Sequence, residues 1–400
     1  MNNTIKFIIF CYNRNTMKNN KISLLTVVTF FSLTSCGVNV PSEVNFTLAN
    51  LGAEVNIHTE TQTAYLESGD PDNYVNQHEM ELSTFSNSGP ASVHFSWTVS
   101  TDNNAKASKY IIVVSEDEIF DDDDWTITSK TTTAEMFNLK VAMTYYWKVT
   151  AYYGTATFES NVSSFTIKSQ GPRNIEVEGV ENVRDLGGWN IGDEQIYKQG
   201  LIYRSAELNG DEDGLSAPTK NGKKVLLEQL KIKSEVDLRK TLAVNNDDEV
   251  CGITSSPLGD TVQYASFPMI FGGSNIFTNA SNTDSLKSFF NYLAEPTNYP
   301  IIFHCVRGTD RTGALSYVLG ALCGMTYDQL LSDYLFSNFA NINSSIIDER
   351  NISGTMFYPA GINKSSGDSL AEKAANYLIN TVGVSLTTIQ SIKSILLADK

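Results

Sequence analysis

Cysteine, proline and basic residues are scarce in this sequence of 400 residues. Its 5 cysteines stand at long, irregular spacings, which fit neither a disulfide framework nor the paired ligands of a zinc site. With 29 Lys and Arg against 45 Asp and Glu, the formal net charge is −16, which excludes a nucleic-acid binder held by clustered basic residues. Only 10 residues are proline and 41% are hydrophobic, which excludes a disordered or collagen-like chain. The length predicts two domains.

The N-terminal segment has the layout of a secretory signal. Two lysines follow Met17, the expected true start, and precede an apolar run from Ile22 to Leu33 that is too short to span a bilayer as a stable helix. The tetrapeptide Leu33-Thr34-Ser35-Cys36 resembles the bacterial lipobox, whose cysteine becomes the lipidated first residue. We therefore predict that residues 1–35 are a signal segment. Cys36 would then anchor the protein to a bacterial membrane outside the cytoplasm, in the periplasm or at the cell surface; an ordinary cleaved signal is the alternative.

Residues 46–168 are rich in Thr, Ser, Tyr and Val, with short alternating runs separated by polar turns. This spacing predicts an all-β sandwich. With Trp97 on one strand and Leu139 ahead of the run Tyr145–Val149, the segment resembles a fibronectin type III or related immunoglobulin-like domain. The resemblance implies a spacer or a module that binds a protein or glycan partner. The acidic run from Glu116 to Asp124 is interpreted as a solvated loop, with a cation site as the alternative.

After a predicted linker at 169–174, the pattern of residues 175–400 becomes α/β. Leu286, Phe289, Phe290 and Leu293 have the spacing of an amphipathic helix. That helix precedes an apolar strand, Tyr299–Phe303, and a second helical pattern begins soon after it. The order of strand, loop and helix therefore centres on the segment that follows Phe303.

That segment reads His304-Cys305-Val306-Arg307-Gly308-Thr309-Asp310-Arg311-Thr312-Gly313. A loop between a buried strand and a helix N-terminus directs several backbone N–H groups to one point, where the helix dipole adds positive potential. Such a point binds phosphate. The same potential favours the thiolate of Cys305, and the guanidinium of Arg311 can bind two phosphoryl oxygens. The segment thus combines a nucleophile with an anion site.

The spacing from Cys305 to Arg311 is the Cys-x5-Arg signature of the protein tyrosine phosphatase superfamily. Four further blocks occur in the order seen in bacterial tyrosine phosphatases with dual protein and phosphoinositide activity. They are Asn182–Gly188, Leu201–Leu208, Val236–Arg239 and Asp333–Asn338. This resemblance implies an α/β tyrosine phosphatase-like domain that hydrolyses phosphomonoesters.

The resemblance also implies a role for each matching residue. Cys305 would attack phosphorus and form a phosphocysteine, while Arg311 would bind the phosphoryl oxygens. Thr312 would hydrogen-bond the thiolate, and His304 would orient the loop from beneath. The substrate site would be lined by Val306, Arg307, Gly308, Thr309, Thr312 and Gly313. No metal and no cofactor are expected.

The general acid is less directly indicated. Many members of the superfamily supply it from a Trp-Pro-Asp tripeptide, which this sequence lacks; Phe267-Pro268-Met269 stands in the corresponding region without a carboxylate. The resemblance assigns the role to Asp310, and a carboxylate that only orders the loop is the alternative. For Arg184 and Asp185 the interpretations are support of the loop or a turn formed with the following glycines.

The substrate stays open between phosphoproteins and phosphoinositides. Related sequences often carry Lys where Thr309 stands, which weakens the case for polyphosphorylated lipids, although Arg307 supplies a nearby cation. The main hypothesis is a protein tyrosine or dual-specificity phosphatase. The alternatives are a phytase-like phosphatase of inositol phosphates and a surface binding protein with a relic phosphatase fold.

Overall fold

The computed structural model describes residues 39–82, 89–121, 124–168, 171–210, 216–239, 253–270, 276–340 and 360–400. The signal segment and Cys36 lie outside these ranges. Within them, no helix combines the length and apolar character needed to cross a membrane. Residues Asn39–Lys400 cluster as a single unit by their contacts.

The first part is a sandwich of two antiparallel sheets. One sheet has the order β1-β2-β5 and the other β4-β3-β6-β7, with β8 also paired to β6. The strands are β1 Val44–Leu48, β2 Val93–Thr101, β3 Lys109–Ser115, β4 Trp125–Ser129, β5 Thr133–Met136, β6 Thr144–Tyr153, β7 Ala156–Glu159 and β8 Ser163–Thr166. Alternate residues of β2 are buried, and Phe95 packs edge-on against Trp147 across the sandwich, with ring centroids 5.0 Å apart. The predicted β-sandwich is confirmed.

Two helices, α1 Glu60–Glu67 and α2 Pro71–Leu82, lie within the segment predicted to be all-β. The first has a sequence signal that the strand pattern obscured: Thr59 and Gln62 form a capping box. Tyr65 and Val75 of these helices belong to the hydrophobic core of the second part of the chain, not to that of the sandwich. The helices therefore bind the two parts together.

The second part is built on a six-stranded sheet of order β15-β14-β16-β13-β10-β9. Its strands are β9 Arg173–Asn174, β10 Arg184–Asp185, β13 Ile202–Ser205, β14 Ser234–Asp237, β15 Gln263–Ser266 and β16 Ile301–His304, while β11 Asn190–Ile191, β12 Gln195–Tyr197 and β17 Leu397–Asp399 form a small separate sheet. The pairs β13·β16, β16·β14 and β14·β15 are parallel. The segment 169–174, expected to be a linker, thus contains the edge strand β9. Its residues 171–174 are buried, because Arg173 is held by partners on both sides.

Helices surround this sheet. They are α3 Lys220–Lys224, α4 Thr283–Leu293, α5 Asp310–Cys323, α6 Tyr327–Leu335, α7 Ala360–Asn363, α8 Leu370–Tyr377 and α9 Leu386–Leu396. Helix α4 buries Leu286, Phe289, Phe290 and Leu293, as their spacing predicts. Helix α5 is buried on nearly all sides and ends at Gly324 in the left-handed conformation. The predicted order of strand, loop and helix is therefore confirmed, with β16 and α5 enclosing the loop.

Candidate active site

The loop from Cys305 to Thr309 leaves the carboxyl end of β16 and enters the N-terminus of α5. The side chain of Cys305 is buried, and Thr309, at the N-cap position, makes no side-chain cap hydrogen bond. The backbone N–H groups of the first turn of α5 therefore lack the side-chain acceptor that an N-cap residue usually provides. A loop of this form presents its amides and the positive end of the helix dipole to an anion.

Gly308 allows the loop to pass directly over β13. Its φ is +68°, and a Cβ at this position would overlap the Ser205 carbonyl oxygen and lie 2.8 Å from the Ala206 nitrogen. Because neighbouring backbone atoms cannot move aside, only glycine fits here. The glycine thus fixes the approach of the loop to the sheet.

Arg204 joins the loop to helix α6. Its Nη2 donates to the Gly308 carbonyl oxygen at 2.6 Å, and its Nη1 donates to Asp333 Oδ2 at 2.9 Å. The side chain is completely buried. Burial and, secondarily, the neighbouring Arg184 lower the pKa of Arg204 to about 10, and Asp333 opposes that shift. Arg204 therefore remains cationic at neutral pH and holds the loop carbonyl.

Arg184 supports the same arrangement from β10. Its Nε donates to Asp333 Oδ1 at 3.2 Å, and its Nη2 donates to the Asp333 carbonyl at 3.0 Å and to Ser337 Oγ at 3.1 Å. Its Nη1 donates to the side-chain oxygen of Asn182, whose Nδ2 in turn donates to the Arg307 carbonyl at 3.0 Å. Arg184 thus contacts two groups that hold the loop.

Asp185 is not part of this arrangement. Its Oδ1 accepts from the Gly187 N–H at 2.8 Å, while Oδ2 accepts from the Gly200 N–H at 2.6 Å and from Arg173 Nη1 at 2.7 Å. None of these partners belongs to the loop from Cys305 to Arg311. Asp185 therefore orders the turn at Gly187 and an ion pair, the second of the two interpretations, whereas Arg184 fits the first.

His304 lies beneath the loop, with its Nε2 3.0 Å from Glu235 Oε1 and its Nδ1 3.1 Å from the Cys305 carbonyl oxygen. Burial alone would lower the pKa of His304. The carboxylates of Asp237 and Glu235 outweigh that effect and raise it. The imidazole is thus held between a carboxylate and the backbone of the cysteine.

Arg311 is buried, and its Nη1 lies 3.5 Å from the carbonyl oxygen of Leu238, just beyond β14. Next to Leu238, Arg239 donates from Nη2 to Asp237 Oδ2 at 2.7 Å and from Nη1 to Glu207. The backbone N–H of Glu207 donates to the Val306 carbonyl at 2.9 Å. The backbone of Glu207 therefore holds the second flank of the loop, and the side chain of Glu207 is itself paired with Arg239.

The remaining predicted residues follow in α5. Asp310 is half-buried in the first turn, and its carboxylate adds to burial in raising the pKa of Tyr334. Thr312 Oγ1 is buried without a hydrogen-bond partner among the described residues. A Cβ on Gly313 would lie 3.0 Å from the ring of Tyr334, so this glycine lets α5 pack closely against α6.

Sequence reasoning gave no role to five residues that hold the loop or pair with residues that hold it: Asn182, Arg204, Glu207, Arg239 and Asp333. All five lie in the blocks that carry the family resemblance, so a signal was present. The sequence did not indicate which of these residues contact each other, because Arg204 and Asp333, for example, are 129 positions apart. In the described part of the chain, no group of three or more His, Cys, Asp or Glu side chains is placed to hold a metal ion.

Residues 175–398, more than half of the chain, match the model of the tyrosine phosphatase family. The chain belongs to the tyrosine phosphatase family. Residues 81–166 match the fibronectin type III domain. These matches confirm the predicted architecture, an all-β sandwich followed by an α/β phosphatase domain, and make the protein a cysteine-based phosphatase.

Two solved structures are similar to this phosphatase. The core catalytic domain of the PP-IP phosphatase SIW14 from S. cerevisiae, in complex with citrate, is 20% identical, covering 39% of this chain and 84% of that chain with a TM-score of 0.24. A structure of the Siw14 catalytic core is 19% identical, covering 38% of this chain and 83% of that chain with a TM-score of 0.25. A comparison with curated proteins finds no match.

Proposed function

We propose that this phosphatase hydrolyses phosphomonoesters of proteins, as a tyrosine or dual-specificity phosphatase, through a phosphocysteine at Cys305. One observation carries the proposal. Three consecutive loop carbonyls are held from outside: Val306 by the Glu207 N–H at 2.9 Å, Arg307 by Asn182 at 3.0 Å and Gly308 by Arg204 at 2.6 Å. In a planar trans peptide the next N–H points the opposite way. The following amides are therefore directed away from the scaffold, as a phosphate cradle requires.

In the first step the thiolate sulfur of Cys305 attacks phosphorus, the S–P bond forms and the bond to the leaving oxygen breaks. The loop amides and Arg311 bind the phosphoryl oxygens, whose charge is stabilised by the helix dipole. Asp310 gives its proton to the leaving oxygen. In the second step water attacks phosphorus, Asp310 takes the proton back, and the S–P bond breaks to release inorganic phosphate.

The nucleophile is tested with p-nitrophenyl phosphate in the presence of EDTA. We expect the wild type to keep full activity, and Cys305→Ser to fall to background while still binding vanadate. Cys323→Ser is the matched control, because Cys323 is also a buried thiol and burial raises its pKa to about 12. A rate that depends on added divalent metal, or turnover by Cys305→Ser, would contradict the mechanism.

The role of Asp310 is tested by its dependence on the leaving group. Asp310→Asn should slow a phosphate with an alkyl leaving group about 10²-fold more than p-nitrophenyl phosphate, whose leaving group hardly needs a proton. It should also flatten the basic limb of the pH–rate profile. Equal losses on both substrates, with weaker vanadate binding, would instead support a carboxylate that only orders the loop.

We also propose that Cys36 carries a lipid that anchors the protein outside the cytoplasm. The lipobox-like tetrapeptide and the short apolar run before it support this proposal. Radiolabelled fatty acid should enter the wild type and not Cys36→Ala, which should lose its partition into membranes. Cys11→Ala is the control, since Cys11 precedes the expected start at Met17. Equal labelling of Cys36→Ala would contradict the proposal.

A further inference from the structure

We infer that the helix pair α1–α2 is a working part of the phosphatase, in which Tyr65 positions Asp333 and, through it, the catalytic loop. The inference rests on the proposed phosphatase activity. Helix α1 and all but the last two residues of α2 precede residues 81–166 and 175–398, which match the two domains. The two matches therefore assign no role to Tyr65 or to the helix that carries it.

The start of α1 is held by both parts of the chain. His58 Nε2 lies 2.9 Å from the carbonyl oxygen of Pro172, which directly precedes β9. Gln62 Nε2 donates to the carbonyl of Gly89, ahead of β2, at 3.0 Å. Both of these side chains are buried. The position of α1 therefore does not depend on the hydroxyl of Tyr65.

Tyr65 extends from α1 into the hydrophobic core of the phosphatase part, where it is completely buried. Its ring packs edge-on against Phe336 and Phe339, with ring centroids 5.9 Å and 5.3 Å apart. Both phenylalanines belong to the single turn that directly follows α6, the helix that carries Asp333. The ring contacts thus fix Tyr65 against the end of that helix.

The hydroxyl of Tyr65 donates to the carbonyl oxygen of Ser332 at 2.9 Å. Burial raises the pKa of Tyr65 above its ordinary value, so the hydroxyl keeps its proton and remains a donor. The acceptor belongs to the peptide group that joins Ser332 to Asp333. Because that group is planar and includes the Cα atom of the second residue, the hydrogen bond restrains the backbone from which the Asp333 carboxylate extends.

Asp333 connects this hydrogen bond to the catalytic loop through two arginines. Its Oδ2 accepts from Arg204 Nη1 at 2.9 Å, and Arg204 Nη2 donates to the Gly308 carbonyl at 2.6 Å. Its Oδ1 accepts from Arg184 Nε at 3.2 Å. The guanidinium of Arg184 also lies over the ring of Phe336, 5.9 Å from its centroid. The contacts of α1 therefore reach both arginines that support the loop.

Tyr65→Phe removes the hydroxyl and leaves the ring packing in place. A neutral hydrogen bond changes a population by about 2- to 10-fold, so the loop geometry that fits the transition state should become less populated by this factor. We expect kcat and the affinity for vanadate to fall together by this amount. KM and inhibition by inorganic phosphate should change by less than about 2-fold, because the loop amides and Arg311 still bind a phosphate in the ground state.

The test compares Tyr65→Phe with Tyr299→Phe in the full chain, using p-nitrophenyl phosphate at a temperature where both variants are folded. Tyr299 is also buried, and its hydroxyl donates to the Leu293 carbonyl at 2.7 Å. It precedes the amino end of β16, whereas Cys305 follows the carboxyl end. Tyr299→Phe should lose a similar unfolding free energy in urea but keep kcat and vanadate affinity. Equal kinetic losses in the two variants, or an unchanged kcat in Tyr65→Phe, would overturn the inference.

A double-mutant cycle with Asp333→Asn tests the route of the effect. This substitution keeps the shape of the side chain and removes the charge that pairs with both arginines. If Tyr65 acts through Asp333, Tyr65→Phe should lower kcat by less than about 1.5-fold in the Asp333→Asn background. Losses that multiply in the double variant would overturn the inference, since Tyr65 would then act independently of Asp333.

The proposed function and the inference fail in different ways. An inactive wild type, or turnover retained by Cys305→Ser, would overturn the proposed function and the inference with it. A wild type whose turnover is abolished by Cys305→Ser, but whose kcat is unchanged by Tyr65→Phe, would overturn the inference alone.

Discussion

Replacing Arg204 by methionine should separate the stability of the fold from the activity of the loop. The substitution keeps most of the side-chain volume and removes two hydrogen bonds, one to the Gly308 carbonyl at 2.6 Å and one to Asp333 at 2.9 Å. Asp333 keeps Arg184 as a partner. The Gly308 carbonyl, by contrast, loses the donor that holds the loop over β13.

The size of the effect follows from these contacts. A hydrogen bond from a charged donor contributes about 1.5–3 kcal/mol, and each 1.4 kcal/mol is a factor of ten in a population. If loss of this hydrogen bond destabilises the productive conformation of the loop by about 1.5–3 kcal/mol, that conformation becomes roughly 10- to 150-fold less populated. We expect kcat/KM to fall by the same factor. Breaking a buried ion pair costs about 3–5 kcal/mol of unfolding free energy.

The assay pairs Arg204→Met with Arg173→Met. Arg173 is also buried and its Nη1 contacts Asp185 Oδ2 at 2.7 Å, but its Nε donates to the Leu139 carbonyl of the sandwich and not to the loop. Both variants should lose similar unfolding free energy in urea, measured at a temperature where each is folded. Only Arg204→Met should lose kcat/KM and vanadate affinity. Equal kinetic losses in the two variants, or unchanged vanadate binding in Arg204→Met, would refute the reasoning.

Three further predictions concern the loop and its surroundings. Gly308→Ala should reduce turnover by more than about 10²-fold, because its Cβ meets backbone atoms; Gly192→Ala, at φ +58° with nothing within 4 Å, should cost only stability by thermal melting. Tyr65→Phe removes the hydrogen bond from its hydroxyl to the Ser332 carbonyl at 2.9 Å, beside the aspartate that holds the loop, and should lower kcat a few-fold with KM unchanged. The pKa of His304 is raised above its ordinary value of 6.5, so the protonated imidazole stabilises the fold below pH 6.5 and this contribution is lost as the pH rises through the folded-state pKa. The free energy of unfolding, measured above pH 6.5, should therefore fall more steeply with pH in the wild type than in His304→Gln.

The parts of the fold that the sequence predicted are those specified by neighbouring residues. The loop from Cys305 to Arg311 needs a strand before it and a helix after it, and both are encoded within a few residues on either side. The spacing from Leu286 to Leu293 likewise encodes one face of a single helix, α4. Local patterns of this kind do not depend on which distant segment covers them.

Contacts between distant segments could not be predicted in the same way. The bond between Arg204 and Asp333 joins positions 129 apart, and the hydroxyl of Tyr65 reaches a carbonyl 267 positions away. Helix α1 shows the same limit, because its apolar residues pack on the phosphatase core and not on the sandwich that surrounds it in sequence. In the sequence, the strand patterns on both sides of α1 favour a β prediction more strongly than the capping box of Thr59 and Gln62 favours a helix.

The neighbours Arg184 and Asp185 show why a motif can be located while its roles are not. In the sequence they stand side by side shortly before two glycines, and the same two interpretations, support of the loop or a turn, apply to both. In β10 successive side chains point to opposite faces. Arg184 therefore reaches Asp333 and Asn182, whereas Asp185 reaches Arg173, which in turn donates to the Leu139 carbonyl of the sandwich. Because the two residues of β10 serve different neighbours, substitution of Asp185 should change how Arg173 holds the sandwich before it changes the chemistry at Cys305.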